Sequence, residues 1–344
     1  MSGEAESARA TVTTDPVAAA VALADGHLAV IPTETVYGLG ARADLPAAIA
    51  RVYTTKGRPA DHPLIVHVAD ADAAWQWARE VPDYARALAE HAWPGPLTLV
   101  LRRSERARDD ITGGQDSVAI RVPAHPMTQA VLRALAQQCA DPAIGIAAPS
   151  ANRFGRVSPT SAAHAIDELG EALIAGDVVL DGGPCTVGLE STIVDATGDE
   201  PRILRPGGIS ATDVTAITRL ALGTGSSVRA PGTLASHYAP RARVLVLTDA
   251  TAHDALDPND PRWAGTTGTI GVIALEHIPT PPAWVRLCAP SDAPAYAQSL
   301  YAALREADQR GLDLIVAIAP PPGGIADAIR DRLTRAATPG APQS

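Results

Sequence analysis

Hydrophobic and polar positions along the chain fall into short blocks of two kinds. Asp15 can cap a helix, Pro16 suits its first position, an alanine-rich run follows, and Gly26 stops it. His27 to Ile31 is a short apolar strand that runs out into PTETVYGLG, where Pro, Thr and Gly predict an irregular loop. A helix is predicted from Leu45 to about Thr54, after which the loop KGRPADHP leads into the strand LIVHV. Helical spacing marks Ala71 to Arg79, Pro82 to Glu90 and Met127 to Gln138, and apolar runs mark strands at Leu97 to Leu101 and Val118 to Val122. GIAAPSAN then ends a short apolar run. DVVLDGG, STIVDAT and RILRPGG read as three strands separated by turn residues, followed by a helix near Thr212 to Leu220. Strands and helices mix in this part of the chain without strict alternation.

The texture changes at GTGSSVRAPGTLASHYAPRA, which has no hydrophobic period and reads as a linker from Gly223 to Ala242. Beyond it VLVLT, TIGVIAL and DLIVAIA are nearly continuous apolar strands, with helices at Ala293 to Ala307 and Gly324 to Ala337. That pattern predicts a small parallel sheet covered on both faces by helices. The expected organisation is a flexible N-terminus over 1–14, an α/β domain over 15–222, the linker, a second α/β domain over 243–337 and a flexible tail over 338–344.

Composition narrows the function. With 46% hydrophobic and 19% charged residues in 344, the chain is globular in type, and no uninterrupted apolar stretch is long enough to span a membrane. The N-terminus lacks a basic region followed by an apolar core, and the three cysteines fit neither a metal knuckle nor a disulfide framework, so a reducing, cytoplasmic setting is expected. A net charge of −10 opposes non-specific binding to polyanions, so any phosphate ligand must meet a local cluster of cations. Lys56 is the only lysine among the 28 basic residues, and Phe154 is the only phenylalanine.

Several strand ends carry polar residues. Lys56 and Arg58 lie on KGRPADHP, stiffened by Pro59 and Pro63, where they are either solvated charges or a pair suited to phosphate oxygens. Thr33, Thr35 and Tyr37 in PTETVYGLG either satisfy their own turn or face a ligand. The same choice holds for Ser150 to Asn152, and Ser158 is either a helix cap or a contact. Arg121 in AIRVP and Arg205 in ILRPGG sit in apolar runs and each needs an acidic partner or an anionic ligand. Glu190 in GLESTIVD is open to either role: partner for one of these arginines, or part of a metal site. GxxxxGK[ST], GxSxG, HExxH and paired CxxC are all absent, which removes support for P-loop, serine-hydrolase and zinc chemistry.

PTETVYGLG, KGRP with PLIVHV, WPGPLTLVL, VAIRVP, PSAN, SPT, ESTIVD and ILRPG, in this order, resemble the YrdC-domain threonylcarbamoyl-AMP synthases. APGTLASHYAPRA and PPGGIADAIRDRLTRAA resemble the linker and C-terminal domain of the long form of that family. The resemblance spans about 15–337. It implies a twisted mixed-sheet YrdC-like domain with a basic concave face, joined to a smaller Rossmann-like α/β domain. The implied activity is nucleotidyl transfer: L-threonine, bicarbonate or carbon dioxide, and ATP with Mg²⁺ give threonylcarbamoyl-AMP and pyrophosphate, for a transferase system that modifies tRNA beside the anticodon.

Residue by residue, the resemblance implies that Lys56 and Arg58 hold the triphosphate as the catalytic pair. His62, Ser117, Asn152, Ser158, Thr160 and Arg205 would meet the nucleotide, and Thr35, His67, Arg121, Ser150 and Ser191 would surround threonine, with Arg121 facing its carboxylate. His62 departs from the asparagine common at that position. His237 and Tyr238 would form a lid over the pocket, and no residue is assigned to the metal. A different class of function, an RNA- or tRNA-binding module of the same fold, remains the alternative, opposed by the acidic charge and by the lack of basic stretches interleaved with aromatics. A carbamoyl-transfer module of the hydrogenase-maturation type would need further segments not seen in this sequence. Neither a membrane nor stable nucleic-acid binding is expected.

Overall fold

A computed structural model describes residues 9–233, 238–248, 256, 263 and 268–338. Ten strands form one mixed sheet: β1 (Thr11–Thr13), β2 (Ala29–Ile31), β3 (Gly38–Arg42), β4 (Ile65–His67), β5 (Leu97–Arg102), β6 (Ser117–Arg121), β7 (Ile146–Ala147), β8 (Val178–Leu180), β9 (Thr192–Asp195) and β10 (Arg202–Arg205). Their spatial order is β1-β8-β2-β3-β7-β4-β6-β5-β9-β10. Two strands lie where the sequence predicted none. β1 pairs parallel with β8, so ordered chain begins inside the expected flexible N-terminus. β3 grows out of the loop PTETVYGLG and pairs antiparallel with β2, because Gly38 and Gly40 admit neighbours that a Cβ would displace.

The helices before the linker are α1 (Pro16–Ala24), α2 (Pro46–Lys56), α3 (Ala71–Trp75), α4 (Asp83–Ala92), α5 (Asp109–Thr112), α6 (Pro126–Gln138), α7 (Ala162–Leu169) and α8 (Ala211–Thr218). Strand alternation sends Val30, Leu39, Val66, Leu99, Ile120 and Val194 to one face, where residues of α2, α4, α7 and α8 bury them. The opposite face is divided. At one end α1 and α6 cover Ala29, Ile31, Ile146 and Leu180. Over β4, β6, β5 and β9 the covering comes from the linker, whose Ala230 and Val228 pack on Ile65, Val100, Ala119 and Ile193. This half-covered face holds the cavity.

After the linker, β11 (Arg243–Thr248), β12 (Ile270–Ile273), β13 (Val285–Cys288) and β14 (Leu314–Ala319) form an all-parallel sheet in the order β11-β14-β12-β13. The sequence reading missed β13, whose VRLC is too short and polar to stand out. Helices α9 (Ala293–Gln309) and α10 (Ala326–Ala337) share one face of this sheet, with Ile315, Ala317 and Ile273 beneath them. Among the described residues, Leu256, Trp263 and Ile278 with Trp284 pack on the other face. The face bearing α9 and α10 also packs against Val36, Val157, Leu189 and Tyr238, so one apolar cluster joins the two sheets beside the cavity. Among the described residues no helix is long and apolar enough to cross a membrane.

Candidate active site

The cavity floor is a row of side chains at matched register across adjacent strands. His67 on β4 pairs with Arg121 on β6, and Arg121 pairs with Thr98 on β5, so all three rise from the same face. Ser191, just before β9, closes the row through a 2.7 Å hydroxyl contact with Thr98. An isolated bridge between Gly38 and Ser150 brings the PTETVYGLG and PSAN loops to its rim. Arg58, Glu190, Arg205 and the linker residues Pro231, Gly232 and Tyr238 complete the walls around about 590 Å³ of space, its open mouth included.

Arg205 reaches this cavity through an irregularity. Between Ile203 and Arg205 the register of β10 against β9 shifts, so that Arg205 stands opposite Ile193 with Leu204 unpaired. Ile203 packs with the helix-covered cluster, and regular alternation would have sent Arg205, two residues on, to the same side. The bulge turns it over. Arg205 then donates through Nε and Nη2 to the Ser191 carbonyl at 3.1 and 2.9 Å, and through Nη1 to the Pro231 carbonyl at 3.0 Å. Gly232 follows with φ +76°, and a Cβ there would lie 2.2 Å from the Tyr238 hydroxyl oxygen. Only glycine lets the linker turn this closely over Arg205.

The cations of the cavity differ in how their charge is met. Arg121 is balanced: Nη2 lies 2.7 Å from Glu34 Oε1, Nη1 donates to Thr35 Oγ1 at 2.8 Å, and Nε donates to the Gly95 carbonyl at 3.3 Å. Burial alone would raise the Glu34 pKa, but the Arg121 charge together with hydrogen bonds from Arg121 and from backbone amides leaves the carboxyl below its ordinary value. Among the described residues Arg58 has no carboxylate partner; Nη2 donates to the Pro63 carbonyl at 2.9 Å and its buried Nε meets no acceptor. Burial, opposed by Tyr53, Tyr238 and Asp61, lowers the Arg58 pKa to about 10. Arg205 likewise touches only neutral acceptors, and burial lowers its pKa.

Lys56 lies on a helix and not on the loop where the sequence placed it. It is the last residue of α2, which Gly57 ends in the left-handed conformation at φ 62°, and the side chain is 3% exposed. Its Nζ donates to the carbonyls of Ser150 and Asn152, behind the cavity wall. Burial first, then the Arg58 charge, pushes the ammonium well below its ordinary pKa. Asn152 donates from Nδ2 to the carbonyls of Arg153 and Arg156, while its buried Oδ1 has no donor. Phe154 lies between this loop and the next: Arg58 sits 5.8 Å from its ring centroid and His62 packs edge-on at 5.3 Å.

Of the other predicted residues, Thr35, His67, Arg121, Ser150 and Ser191 do meet in the cavity wall, together with Arg58, Arg205 and Tyr238. His67 is buried and held neutral, its pKa lowered to about 3 by burial and by Arg121. Thr33 serves its own turn, accepting from the Thr35 and Val36 amides and donating to the Val36 carbonyl. His62, Ser117, Asn152, Ser158 and Thr160 are not cavity walls. Ser117 is buried at the head of β6, on the Arg121 face, and Thr160 contacts the His164 ring. Ser158 is not a cap: Ser161 caps α7, and Ser158 Oγ donates to Glu190 Oε1 at 2.6 Å. His237 lies outside the described residues.

Glu190 pairs with neither of the arginines considered from sequence. Its partner is Arg332 on α10, whose Nε lies 2.9 Å from Oε2, and Tyr301 on α9 donates to the same oxygen at 2.8 Å. Burial would raise the Glu190 pKa, but Arg332 and then Arg205 bring it down to about 2. Tyr238 stacks on Tyr301 at 5.7 Å and lies under Arg332 at 5.1 Å. Sequence reasoning missed Glu34, Tyr301 and Arg332. A signal existed for Arg332, since it falls on the apolar stripe of its helix with Ile329, Leu333 and Ala336. Among the described residues no group of three or more His, Cys, Asp or Glu forms a metal site.

The chain is similar to known proteins in sequence and in fold. The sequence model of the Sua5/YciO/YrdC family, described as "Telomere recombination", matches residues 21–207, and that described as "Threonylcarbamoyl-AMP synthase, C-terminal domain" matches 208–338. The threonylcarbamoyl-AMP synthase of Pyrococcus abyssi is 36% identical over 321 residues, 91% of each chain. That of Bacillus subtilis is 35% identical over 337 residues, 94% of each. The crystal structure of P. abyssi Sua5 complexed with L-threonine superposes with a TM-score of 0.82 at 36% identity, covering 94% of both chains.

Proposed function

The chain belongs to the threonylcarbamoyl-AMP synthase family, an enzyme family of nucleotidyl transfer, and from that premise we propose that it makes threonylcarbamoyl-AMP and pyrophosphate from L-threonine, bicarbonate or carbon dioxide, and ATP. The product then serves a transferase system that modifies tRNA. One observation carries the nucleotide half of this reading: Arg58 and Arg205 line one cavity, Lys56 lies buried behind its wall, and among the described residues all three hydrogen-bond only neutral acceptors. An unpaired buried charge costs several kcal/mol, and a triphosphate supplies the missing counter-charge. Arg58 Nε and Asn152 Oδ1, both buried and unpartnered, add a free donor and a free acceptor on the same side.

Threonine suits the part of the cavity around Arg121, and a relative has been solved in complex with L-threonine. Thr35, His67, Arg121, Ser150 and Ser191 there present hydroxyls, a neutral imidazole and a guanidinium whose charge Glu34 already balances. The threonine amine adds carbon dioxide to form a carbamate. A carbamate oxygen attacks the α-phosphorus in line, and pyrophosphate leaves. Both reactants are anions, so fixed cations and orientation lower the barrier, and no protein nucleophile is needed. Mg²⁺ would arrive on the triphosphate, since Glu34 and Glu190 are both engaged by arginines; bound there, it would neutralise phosphate charge. Tyr238 and the Pro231–Gly232 turn roof the space and limit access of water to the labile product.

Incubation with ATP, Mg²⁺, bicarbonate and labelled threonine is expected to release pyrophosphate only when threonine is present. Absence of threonine-dependent release, with tight salt-sensitive binding of tRNA, would instead establish an RNA-binding module.

A further inference from the structure

Arg205 and Glu190 face the same cavity and are anchored to adjacent points of the chain. The guanidinium is bonded to the carbonyl and hydroxyl of Ser191, the residue after Glu190. A carboxylate this close to an unpaired arginine should turn and neutralise it. Here it does not. Glu190 Oε2 is taken by Arg332 Nε at 2.9 Å and by the Tyr301 hydroxyl at 2.8 Å, while Oε1 is taken by Ser158. Arg332 is itself fully buried, and its Nη2 donates at 3.0 Å to the carbonyl of Pro206, the residue after Arg205. One side chain of the last helix thus holds both the carboxylate and the backbone that carries the guanidinium.

We propose that Arg332 and Tyr301 are positioning residues for anion binding: by keeping the Glu190 carboxylate away from Arg205 they leave that guanidinium available to a polyphosphate. The second sheet's helices thereby set the charge of a cavity built on the first. This rests on the reading of the Arg205 side as a phosphate site, but it does not depend on which reaction follows. A two-charge exchange explains why the arrangement needs both residues. Arg332 supplies the counter-charge that Glu190 would otherwise take from Arg205, and Tyr301 supplies the neutral bond that fixes the direction of Oε2. The burial of Glu190, with its pKa held near 2, means that the carboxylate is ionised throughout the working range and must always be occupied.

The test uses the full chain and inorganic tripolyphosphate, titrated by calorimetry, with unfolding temperature and pyrophosphate release measured alongside. Arg332→Gln is expected to weaken tripolyphosphate binding by roughly tenfold or more, the effect of one lost phosphate cation. Adding Glu190→Gln to it is expected to restore binding to within about twofold of the parent, because no carboxylate is left to occupy Arg205. A purely structural role predicts instead that the double variant binds no better than Arg332→Gln, and that result overturns the proposal. Tyr301→Phe, which removes a single hydroxyl, covers the case in which Arg332→Gln does not fold. It is expected to weaken binding about threefold, again relieved by Glu190→Gln, and unchanged binding counts against the proposal. A parent chain that does not bind tripolyphosphate overturns it as well. A parent that binds tripolyphosphate but releases no pyrophosphate refutes the proposed reaction while leaving the role of Arg332 to be decided by the variants.

Discussion

The two sides of the cavity handle positive charge in opposite ways. Around Arg121 the guanidinium is matched by Glu34 within 2.7 Å and by the Thr35 hydroxyl, so that side is nearly neutral before anything binds. Around Lys56, Arg58 and Arg205 the bonded acceptors are carbonyls and a hydroxyl, and burial lowers the pKa of all three. Both sides contain buried cations, so counting arginines cannot tell them apart. The difference lies in the partner, and it suits a near-neutral amino acid on one side and a polyanion on the other.

Removing a cation from the unbalanced side should separate the two most strongly. Lys56→Ala and Arg58→Ala are each expected to lower kcat/KM for ATP by on the order of a hundredfold, with KM for threonine changing by less than about threefold. Steady-state kinetics with each substrate varied in turn decide the matter, and equal losses toward both substrates would erase the distinction. On the balanced side, Glu34→Gln leaves Arg121 without its counter-charge. Threonine KM is expected to fall about threefold, because the freed guanidinium meets the threonine carboxylate without a competitor, while ATP KM stays within about twofold, a pattern that isothermal binding of threonine alone should reproduce.

The smallest effects concern stability and pH. His67 stays neutral in the folded chain down to about pH 3, whereas an unfolded imidazole protonates near its ordinary value of 6.5. The unfolded state therefore binds the extra proton between these values, so the contribution is complete above pH 6.5 and is lost as pH falls toward 3. Glu190 adds a second, lower step: its contribution is complete above 4.5 and is lost as pH falls toward 2. Urea unfolding across this range should show the decline, and His67→Gln should flatten its upper part. A decline unaltered by that substitution would place its origin elsewhere.

Local signals revealed most of the elements. The alanine-rich run between Asp15 and Gly26, the helix before Gly57 and the continuous apolar strands after the linker follow propensity and capping, which act within a few residues. β1 and β3 were less legible because both depend on a distant partner strand; Thr11–Thr13 and the glycines of PTETVYGLG carry little strand preference of their own. At the site, the polar strand ends already marked Thr35, Arg58, Arg121, Ser150, Ser191 and Arg205 for attention. Lys56 was marked too, but its helix-end position and complete burial follow from packing of the PSAN loop over it.

The sequence alone determined the α/β character of the chain, the order of its polar motifs, and the family resemblance that those motifs carry. These are properties of neighbouring residues and survive without knowledge of what packs on what. Tertiary structure decided which charges are balanced. Glu34 meets Arg121 across 86 intervening positions only because β6 lies beneath the loop before β3, and Glu190 meets Arg332 only because the last helix returns to the first sheet. Electrostatic pairing falls off over a few ångströms of space and is blind to separation along the chain, so the fold, not the local pattern, assigns each cation its partner.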